Sequence, residues 1–344
     1  MGPNYAVHGK INVPNCSKLY LLATMYYTRL PDPSDPGFDE QRHFSQFKKH
    51  NVVFNAWSNG SHCDDHVGCL SLKTILSGEE WYTIDRRQIA VRPGQFLILN
   101  DDQRYACQIQ KGEPTKVLSI FFKKEFAGAI FRDCLRSEEE LTDNPLDTGN
   151  ETLEFFQTLH AIEPRLLRQL RDLTAHLDAL GDHTGLTDEH LLFLLRQLVR
   201  TYKSEVNGAG RIDAIKASTR KEIFSRVCLA KDLLHSAYRE KLDLDRISKA
   251  ACLSVPQLVR QFKYAFRLTP HCYLTGVRLH HAADLLRSTD LPVMDVGWQC
   301  GFENPSAFGR AFKAQYGIQP AQYRRAGELL GCLAFAPGHR NCAF

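Results

Sequence analysis

A short segment rich in histidine and cysteine carries the most reactive side chains of the sequence. His62, Cys63, Asp65, His66 and Cys69 all lie within HCDDHVGC. Such side chains bind Zn²⁺, and activated thiols sense redox state. A tight zinc site usually shows paired C-x2-4-C spacing, which this segment lacks. We therefore expect a polar turn or strand beside a pocket, with no bound metal or other cofactor. A regulator that senses metal or redox state through His62, Cys63, His66 and Cys69 stays open as an alternative.

Aromatic residues further along the chain indicate what such a pocket would hold. Trp81 and Tyr82 are adjacent in a strand-like stretch and, with His62 and His66, are our candidate effector-binding residues. Aromatic walls with a few polar groups suit a small organic molecule. The alternative for each aromatic residue is a place in an ordinary hydrophobic core.

The last third of the chain repeats itself at an offset of fifty residues. The recurring pairs are Arg260 and Arg310, Phe262 and Phe312, Lys263 and Lys313, Pro270 and Pro320, and Tyr273 and Tyr323. Chance rarely produces so many identities in so short a stretch. The repeat therefore predicts two copies of one small helical unit.

Each copy has the pattern of a helix-turn-helix unit. In the first copy, Asp243 is a candidate cap for a short helix, and Ser254 with Gln257 fits a capping box for the next. In the second copy, Asn304 is the candidate cap, and Pro305 takes the first helical position. The second helix of each copy then has one apolar face and one polar face.

The polar faces suit double-stranded DNA. The candidate DNA-contacting residues are Pro256, Val259, Arg260, Lys263, Ser306, Ala307, Arg310 and Lys313. Arginine bonds guanine edges bidentately in the major groove, whereas lysine more often holds phosphates. A long helix predicted over Thr275–Ser288 would set the two copies about one turn of DNA, roughly 34 Å, apart.

Residues 223–325 resemble the DNA-binding domain of the AraC/XylS family of bacterial transcription regulators. The resemblance is carried by LSVPQLVRQFKYAF in the first copy and by GFENPSAFGRAFKAQYGIQPAQYRR in the second. It implies sequence-specific promoter binding by two helix-turn-helix units, usually with activation of transcription by RNA polymerase. By position, it implies base contacts from Pro256, Val259, Arg260, Ser306, Ala307 and Arg310.

Two positions depart from the pattern of that family. Arg267 stands where glycine usually follows the first recognition helix, and Gly297 stands where alanine is usual. The usual glycine indicates a left-handed backbone, so we expect a different turn at Arg267.

Strand-like segments at roughly ten-residue spacing fill Val52–Phe122, which is typical of a small barrel or sandwich. With VRPGQFLILN they resemble the cupin-type sensor barrel that often precedes this DNA-binding domain. The resemblance implies a small effector in the barrel and neighbouring helices that form a homodimer. Helical spacing of apolar residues predicts helices over Thr152–Leu180 and Thr187–Lys203. The stripe formed by Leu191, Leu194, Leu195 and Leu198 is either core or a dimer seam.

Composition excludes several classes of protein. The 344 residues are 43% hydrophobic and 24% charged, which is ordinary for a globular chain. The longest apolar run, Leu19–Tyr27, is shorter than the about 20 residues that a membrane span needs. Eleven cysteines, an odd number, favour reduced thiols in a cytoplasm. Residues 221–325 carry 16 Lys/Arg and 9 Asp/Glu, a net +7 against +4 for the whole chain, which favours a nucleic-acid partner there.

The predicted fold class is α+β: an N-terminal cupin-like β-barrel with a helical dimerisation segment, and a C-terminal all-α domain with two helix-turn-helix units. The predicted boundaries are 1–50 for an N-terminal arm, 51–135 for the barrel, 136–205 for the helical segment, 206–222 for a linker containing VNGAGR, 223–325 for the DNA-binding domain and 326–344 for a tail. The predicted function is effector-controlled transcription regulation in the cytoplasm, not catalysis. A DNA-binding domain fused to an enzyme is the remaining alternative.

Overall fold

A computed structural model describes residues 24–31, 39–136, 152–180 and 184–329 of the chain. Both sheets lie in the N-terminal region, and the C-terminal region is helical, so the α+β class is confirmed. Residues 1–23 and 32–38 of the predicted arm and residues 330–344 of the predicted tail lie outside the described residues. None of the described helices combines the length and apolar character needed to cross a bilayer.

The N-terminal region contains ten described strands and two of the described helices. In chain order they are β1 (Met25–Tyr27), α1 (Glu40–Lys49), β2 (Val52–Ser58), β3 (Ser61–Val67), β4 (Ser71–Ser77), β5 (Glu80–Ile84), β6 (Arg87–Val91), β7 (Gln95–Leu99), β8 (Arg104–Ile109), β9 (Thr115–Phe121), α2 (Lys124–Leu135) and β10 (Leu159–Ala161). They form a six-stranded sheet in the order β1-β2-β9-β4-β7-β10 and a four-stranded sheet in the order β3-β8-β5-β6.

The cupin-like barrel is not confirmed, because no strand pairing among the described residues joins the two sheets. Strands β2 and β7, which a closed barrel would pair with the other sheet, have β1 and β10 as their outer neighbours instead. The two sheets meet through their inner faces, where Ile75 and Val117 pack with Tyr82 and Ile89. This is the sandwich that the strand pattern alone left open.

Alternation along the strands gives the six-stranded sheet two buried faces. Leu72, Leu118 and Ile120 point to one side, where helices cover them. Ile75 and Val117 point to the other side, toward the four-stranded sheet. The sheet is therefore the middle layer between the helices and the second sheet.

The remaining described helices follow in chain order. They are α3 (Pro164–Leu180), α4 (Thr184–Gly210), α5 (Ala217–Ser236), α6 (Leu244–Ala250), α7 (Val255–Phe266), α8 (Pro270–Ser288), α9 (Val293–Gln299), α10 (Pro305–Tyr316) and α11 (Pro320–Leu329). The first predicted helix begins twelve residues late, at Pro164 instead of Thr152. Residues 159–161 instead pair with β7, and proline suits the first turn of a helix because it lacks an N–H.

The leucine stripe of α4 belongs to the core of the chain. Leu191, Leu194, Leu195 and Leu198 are each at most 1% exposed and pack in one cluster with α3 and the six-stranded sheet. The dimer-seam interpretation of this stripe is therefore wrong, because its apolar surface is already covered within the chain.

Residues 206–210 of the VNGAGR segment are helical, so the irregular stretch within the predicted linker is 211–216. Helix α4 continues to Gly210, and a Cβ on Gly208 would lie 2.7 Å from the Phe224 ring. The glycine thus permits close packing of α4 against α5, and flexibility is not its role. Ile212, just after α4, is buried in the core of the C-terminal region. The domain boundaries themselves remain predictions.

Candidate nucleic-acid interface and interior cavity

The first helix-turn-helix unit consists of α6 and α7, and side-chain caps start both helices. The Asp243 carboxylate accepts a 2.7 Å hydrogen bond from the Arg246 N–H. Ser254 and Gln257 form the predicted capping box, each side chain accepting from the backbone N–H of the other. The capping predictions for this unit are confirmed, and Phe262 is fully buried beneath α7.

The second unit consists of α9 and α10 and is built in the same way. The Asn304 side-chain oxygen accepts from the Ser306 N–H at 2.8 Å and from the Ala307 N–H at 3.3 Å. Pro305 occupies the first turn, as predicted. Phe312, fifty residues after Phe262, is likewise fully buried.

The two recognition helices end in the same backbone conformation but with different residues. Arg267 closes α7 with φ 63°, and Gly317 closes α10 with φ 81°. Arg267 is therefore left-handed like the usual glycine, and our expectation of a different turn here is wrong. A side chain in this region costs about 1–2 kcal/mol relative to glycine, so the first unit is strained at this point.

The outer faces of both recognition helices reach solvent. Pro256, Arg260, Lys263, Ser306, Arg310 and Lys313 are exposed, and Val259 and Ala307 are half-buried. In the described part of the chain, no hydrogen bond or ion pair occupies the side chains of Arg260, Lys263, Arg310 or Lys313. These cations are thus available to an external partner.

Helix α8 holds the two units apart. It begins at Pro270, five residues before the predicted start, and the Thr269 hydroxyl caps it by accepting from the Cys272 N–H at 3.3 Å. Its 19 residues span about 28 Å at 1.5 Å per residue. Leu274 belongs to the core of the first unit and Leu279 to that of the second. The helix is therefore both spacer and shared support.

The first unit is also bonded to the N-terminal region through α5. The buried Asp232 carboxylate accepts from the Thr158 hydroxyl at 2.7 Å and from the Leu159 N–H at 2.9 Å. Burial raises the pKa of Asp232 to about 6. The neighbouring Lys231 ammonium donates to the Leu159 carbonyl oxygen. These contacts join α5 to the short strand β10.

His235 forms a second contact between the regions. The Gln95 side-chain amide donates to His235 Nδ1 at 3.0 Å, so the His235 Nε2–H is directed to the Tyr273 hydroxyl at 2.9 Å. Burial, with repulsion from Lys231 and nearby histidines, lowers the pKa of His235 to about 3. The ring is thus neutral in this junction.

A large cavity of about 1680 Å³ lies between the two sheets. Its interior side chains include Lys73, Glu80, Tyr82, Tyr105, Cys107 and Phe121. Lys73 is 4% exposed, and its ammonium lies 3.5 Å from the centroid of the Phe121 ring. Burial lowers the pKa of Lys73 and raises that of Glu80, whose carboxylate accepts from the Tyr82 hydroxyl at 2.6 Å.

Three of the four predicted effector-binding residues line this cavity. Tyr82 lies deep inside it, and the His66 ring lies 4.3 Å from that of Tyr105, centroid to centroid. His62 is at the rim, where its side chain is 60% exposed and paired with Asp64. Trp81 is not in the lining, because alternation along β5 points it to the opposite side from Tyr82.

Sequence reasoning missed Lys73 and Glu80. Lys73 occupies a polar position of the alternating strand LSLKTIL, which suggested solvent exposure. Both faces of β4 are buried, so that position points into the cavity. The available signal was that Lys73 shares one face of the strand with Ser71 and Ile75. That face points into the cavity.

A β-bulge brings Cys63 and His66 to the same side of β3. The register with β8 shifts between them, so two residues three apart, which regular alternation would separate, both face the cavity. Cys63 Sγ lies 3.4 Å from His66 Nδ1. The hydrogen bond from Cys107 lowers the pKa of the Cys63 thiol, and the His66 contact lowers it further against the effect of burial.

Metal binding by this segment gains no support from the geometry. Throughout the described residues, no group of three or more His, Cys, Asp or Glu side chains is arranged to hold a metal ion. His62 turns outward to Asp64, away from Cys63 and His66. The segment brings together two of its predicted donors, Cys63 and His66, and adds Cys107 from β8.

Comparison with known proteins connects the two helix-turn-helix units to gene regulators. A family model described as a helix-turn-helix domain matches residues 247–326. The HTH-type transcriptional regulator MtrA of Neisseria gonorrhoeae is 39% identical over 88 residues, which cover 26% of this chain and 29% of MtrA. The chain thus spans less than a third of that relative.

Two further relatives match longer segments. The HTH-type transcriptional activator RhaS of Citrobacter koseri is 28% identical over 167 residues, covering 48% of this chain and 56% of RhaS. The HTH-type transcriptional regulator YdiP of Escherichia coli K12 is 23% identical over 282 residues, covering 81% of this chain and 84% of YdiP. The similarity to regulators therefore extends into the N-terminal region.

Proposed function

We propose, from the premise that this chain belongs to the AraC/XylS family of transcription regulators, that it binds promoter DNA sequence-specifically through both helix-turn-helix units. Helix α7 enters one major groove and α10 the next on the same face of the duplex. Arg260 and Arg310 read base edges, while Lys263 and Lys313 hold phosphates. Pro256, Val259, Ser306 and Ala307 complete the surface against the bases.

One observation carries this proposal. The exposed faces of α7 and α10 present an arginine and a lysine at matching positions, and no described residue pairs with any of the four. A surface cation that serves stability or solubility alone would not require the same spacing in two copies. Helix α8, about 28 Å long, connects the two units, which under this proposal lie about one turn of B-DNA, roughly 34 Å, apart.

We further propose that the protein activates transcription through RNA polymerase in the cytoplasm. The name of the relative RhaS, a transcriptional activator, supports activation over repression. A homodimer also belongs to this proposal, since the family resemblance implies one. Its interface must use surfaces other than the leucine stripe of α4, which is buried within the chain.

A small effector is proposed to bind in the cavity between the two sheets. Protein sites for small molecules are mostly apolar with a few converging polar groups, and Tyr82, Tyr105, Lys73 and Glu80 provide both kinds of surface. His62 and His66 lie toward the rim. Effector binding would favour one placement of the DNA-binding units over another.

The test is selection of bound fragments from a random DNA library with the purified full-length protein, with and without small molecules extracted from cells. We expect an enriched motif with two half-sites about one DNA turn apart. The double variant Arg260→Ala/Arg310→Ala should lose the enrichment. Arg171→Ala, which removes an exposed arginine from α3, is the matched control and should retain it. Absence of any enriched motif under both conditions would reject the proposal.

A further inference from the structure

Cys63 and Cys107 are opposite each other on neighbouring strands. They are Cα partners in the antiparallel ladder between β3 and β8, and both side chains line the cavity. Opposed residues of such a ladder have Cα atoms roughly 4.5–5.5 Å apart. A disulfide spans about 4.4–6.8 Å between Cα atoms, so the two thiols can be joined without moving the strands. Both cysteines are free in this structure.

The surroundings make the two thiols unequal. Cys63 accepts a hydrogen bond from Cys107, and its sulfur also contacts His66 Nδ1 at 3.4 Å, so the Cys63 thiolate is favoured. Burial lowers the pKa of His66, but the contacts of its ring with Cys63 and with the Asp64 carbonyl oxygen outweigh burial and raise it. The hydrogen bond to Cys63, together with burial, raises the pKa of Cys107. The surroundings therefore favour Cys63 as the nucleophile and Cys107 as its partner thiol.

Cys69 provides a contrast within the same cavity. Burial raises the pKa of its thiol to about 12 and outweighs the nearby Lys73 ammonium and a hydrogen bond from its own backbone N–H, both of which favour the thiolate. It follows Gly68 after the end of β3, outside the ladder that aligns Cys63 with Cys107. A neutral, unaligned thiol is a poor nucleophile and a poor disulfide partner.

We propose that Cys63 and Cys107 form a reversible dithiol–disulfide site that reacts with hydroperoxides entering the cavity between the sheets. The sequence-based alternative of redox sensing named Cys63 and Cys69, and the ladder instead assigns Cys107 as the partner of Cys63. The site concerns thiol chemistry and does not depend on DNA binding by the same chain.

The reaction balances with a hydroperoxide as the two-electron oxidant. The Cys63 thiolate attacks the terminal oxygen of the peroxide and breaks the O–O bond, which gives a sulfenic acid and, after protonation, an alcohol or water. The Cys107 sulfur then attacks the Cys63 sulfur, the S–O bond breaks, and water leaves with the Cys107 proton. The two thiols lose two electrons and two protons, and a thiol reductant reverses the change.

The test treats the purified, reduced full-length protein with hydrogen peroxide, blocks the remaining thiols and maps disulfide-linked peptides by mass spectrometry. We expect a Cys63–Cys107 link as the main product, lost on addition of dithiothreitol. Cys107→Ser should instead leave a sulfenic acid on Cys63 that dimedone captures, and Cys63→Ser should give neither product. Cys69→Ser is the matched control and should form the link as the unaltered protein does.

The main comparison of a second measurement uses the unaltered protein, so it does not depend on the folding of a variant. Alkylation by iodoacetamide, followed residue by residue between pH 5 and 9, should label Cys63 of the unaltered protein at a lower pH than Cys69. His66→Asn should move the Cys63 profile to higher pH. Labelling of Cys63 and Cys69 with the same pH profile, or oxidation that links Cys63 to a cysteine other than Cys107, would overturn the proposal.

Discussion

The two helix-turn-helix units share a backbone plan but differ in what supports them. The core of the first unit includes Ile212 and Phe224, and Phe156 of the N-terminal region packs against it. The core of the second unit is drawn entirely from α8 and the helices after it, with Phe308 and Phe312 at its centre. The N-terminal region therefore packs directly against the core of the first unit, whereas the second unit shares α8 with the first and meets the segment after α5 through the Lys241–Glu303 ion pair.

The DNA-facing surfaces of the units differ in a related way. Beside Arg260, the first unit presents Pro256 and Val259, which offer no side-chain hydrogen bonds. Beside Arg310, the second unit presents the hydroxyl of Ser306. Under the proposed function, the first unit would depend more on apolar contact and DNA shape, and the second more on polar base edges.

The largest expected effect concerns the matched arginines. Arg310→Ala and Arg260→Ala should each weaken binding to the cognate site by about 1–3 kcal/mol, because each removes a bidentate contact to a base. Each should also relax base preference, but in different half-sites. Binding assays with half-site-mutated DNA measure this. If both variants relaxed base preference in the same half-site, or if neither relaxed it, the assignment of one helix-turn-helix unit to each half-site would be wrong.

A second prediction tests the close packing that supports the first unit. Gly208→Ala places a methyl group 2.7 Å from the Phe224 ring, so we expect a loss of about 1–3 kcal/mol in the free energy of unfolding. Gly210→Ala is the matched control, since a Cβ there meets nothing within 4 Å. It should be neutral or gain up to about 1 kcal/mol from helix propensity. Equal urea-unfolding curves for the two variants would contradict the assigned packing role.

A third prediction concerns the pH dependence of the junction between the regions. The pKa of His235 is lowered to about 3, so below its ordinary 6.5 the unfolded chain binds a proton that the folded chain excludes. The free energy of unfolding should therefore fall as the pH drops from 6.5 toward 3, by about 1.4 kcal/mol per pH unit from this group. The neighbouring side chains of Arg92, Lys231, His280 and His281 also lower the pKa of His235.

The control for this prediction is His235→Gln, which keeps a neutral amide in the junction at every pH. Unfolding curves of both proteins across pH 4.5–7.5 isolate the contribution of His235 from that of its neighbours. The variant should show a shallower slope. Identical slopes would mean that His235 is not the group whose protonation opposes this packing.

The smallest expected effect concerns the matched lysines. Lys263→Ala and Lys313→Ala should each weaken binding about equally on all sequences and reduce the salt dependence by about one phosphate contact. Titrations at several salt concentrations, on specific and nonspecific DNA, provide the measurement. A variant that changed base preference without changing the salt slope would show that its lysine reads bases.

The helix-turn-helix units could be predicted closely because their signals are local. A cap such as Asp243 or Asn304 bonds to residues within three positions, and the fifty-residue repeat supplied an internal check. The left-handed backbone at Arg267 is the exception, because an arginine in place of glycine suggested a different turn. Because these capping contacts form within a few residues, they depend little on how the rest of the chain folds.

The N-terminal region was harder to predict because its outcome depends on distant partners. The strands were identifiable, but closure of a barrel depended on whether β1 and β10 would occupy the sheet edges. The bulge that pairs Cys63 with His66, and the burial of both faces around Lys73, arise from pairing with strands far along the chain. No local pattern in HCDDHVGC pointed to Cys107.

The close approach of Gly208 to Phe224 has a consequence for protein engineering. Regulators of this kind invite domain exchange, and the glycine-containing VNGAGR stretch is the place where a designer would cut. A cut there would divide a continuous helix and separate Gly208 and Ala209 from the core that they pack against. A DNA-binding domain meant for transfer to another protein must therefore include the end of α4. It also needs a replacement for strand β10, to which Asp232 is hydrogen-bonded.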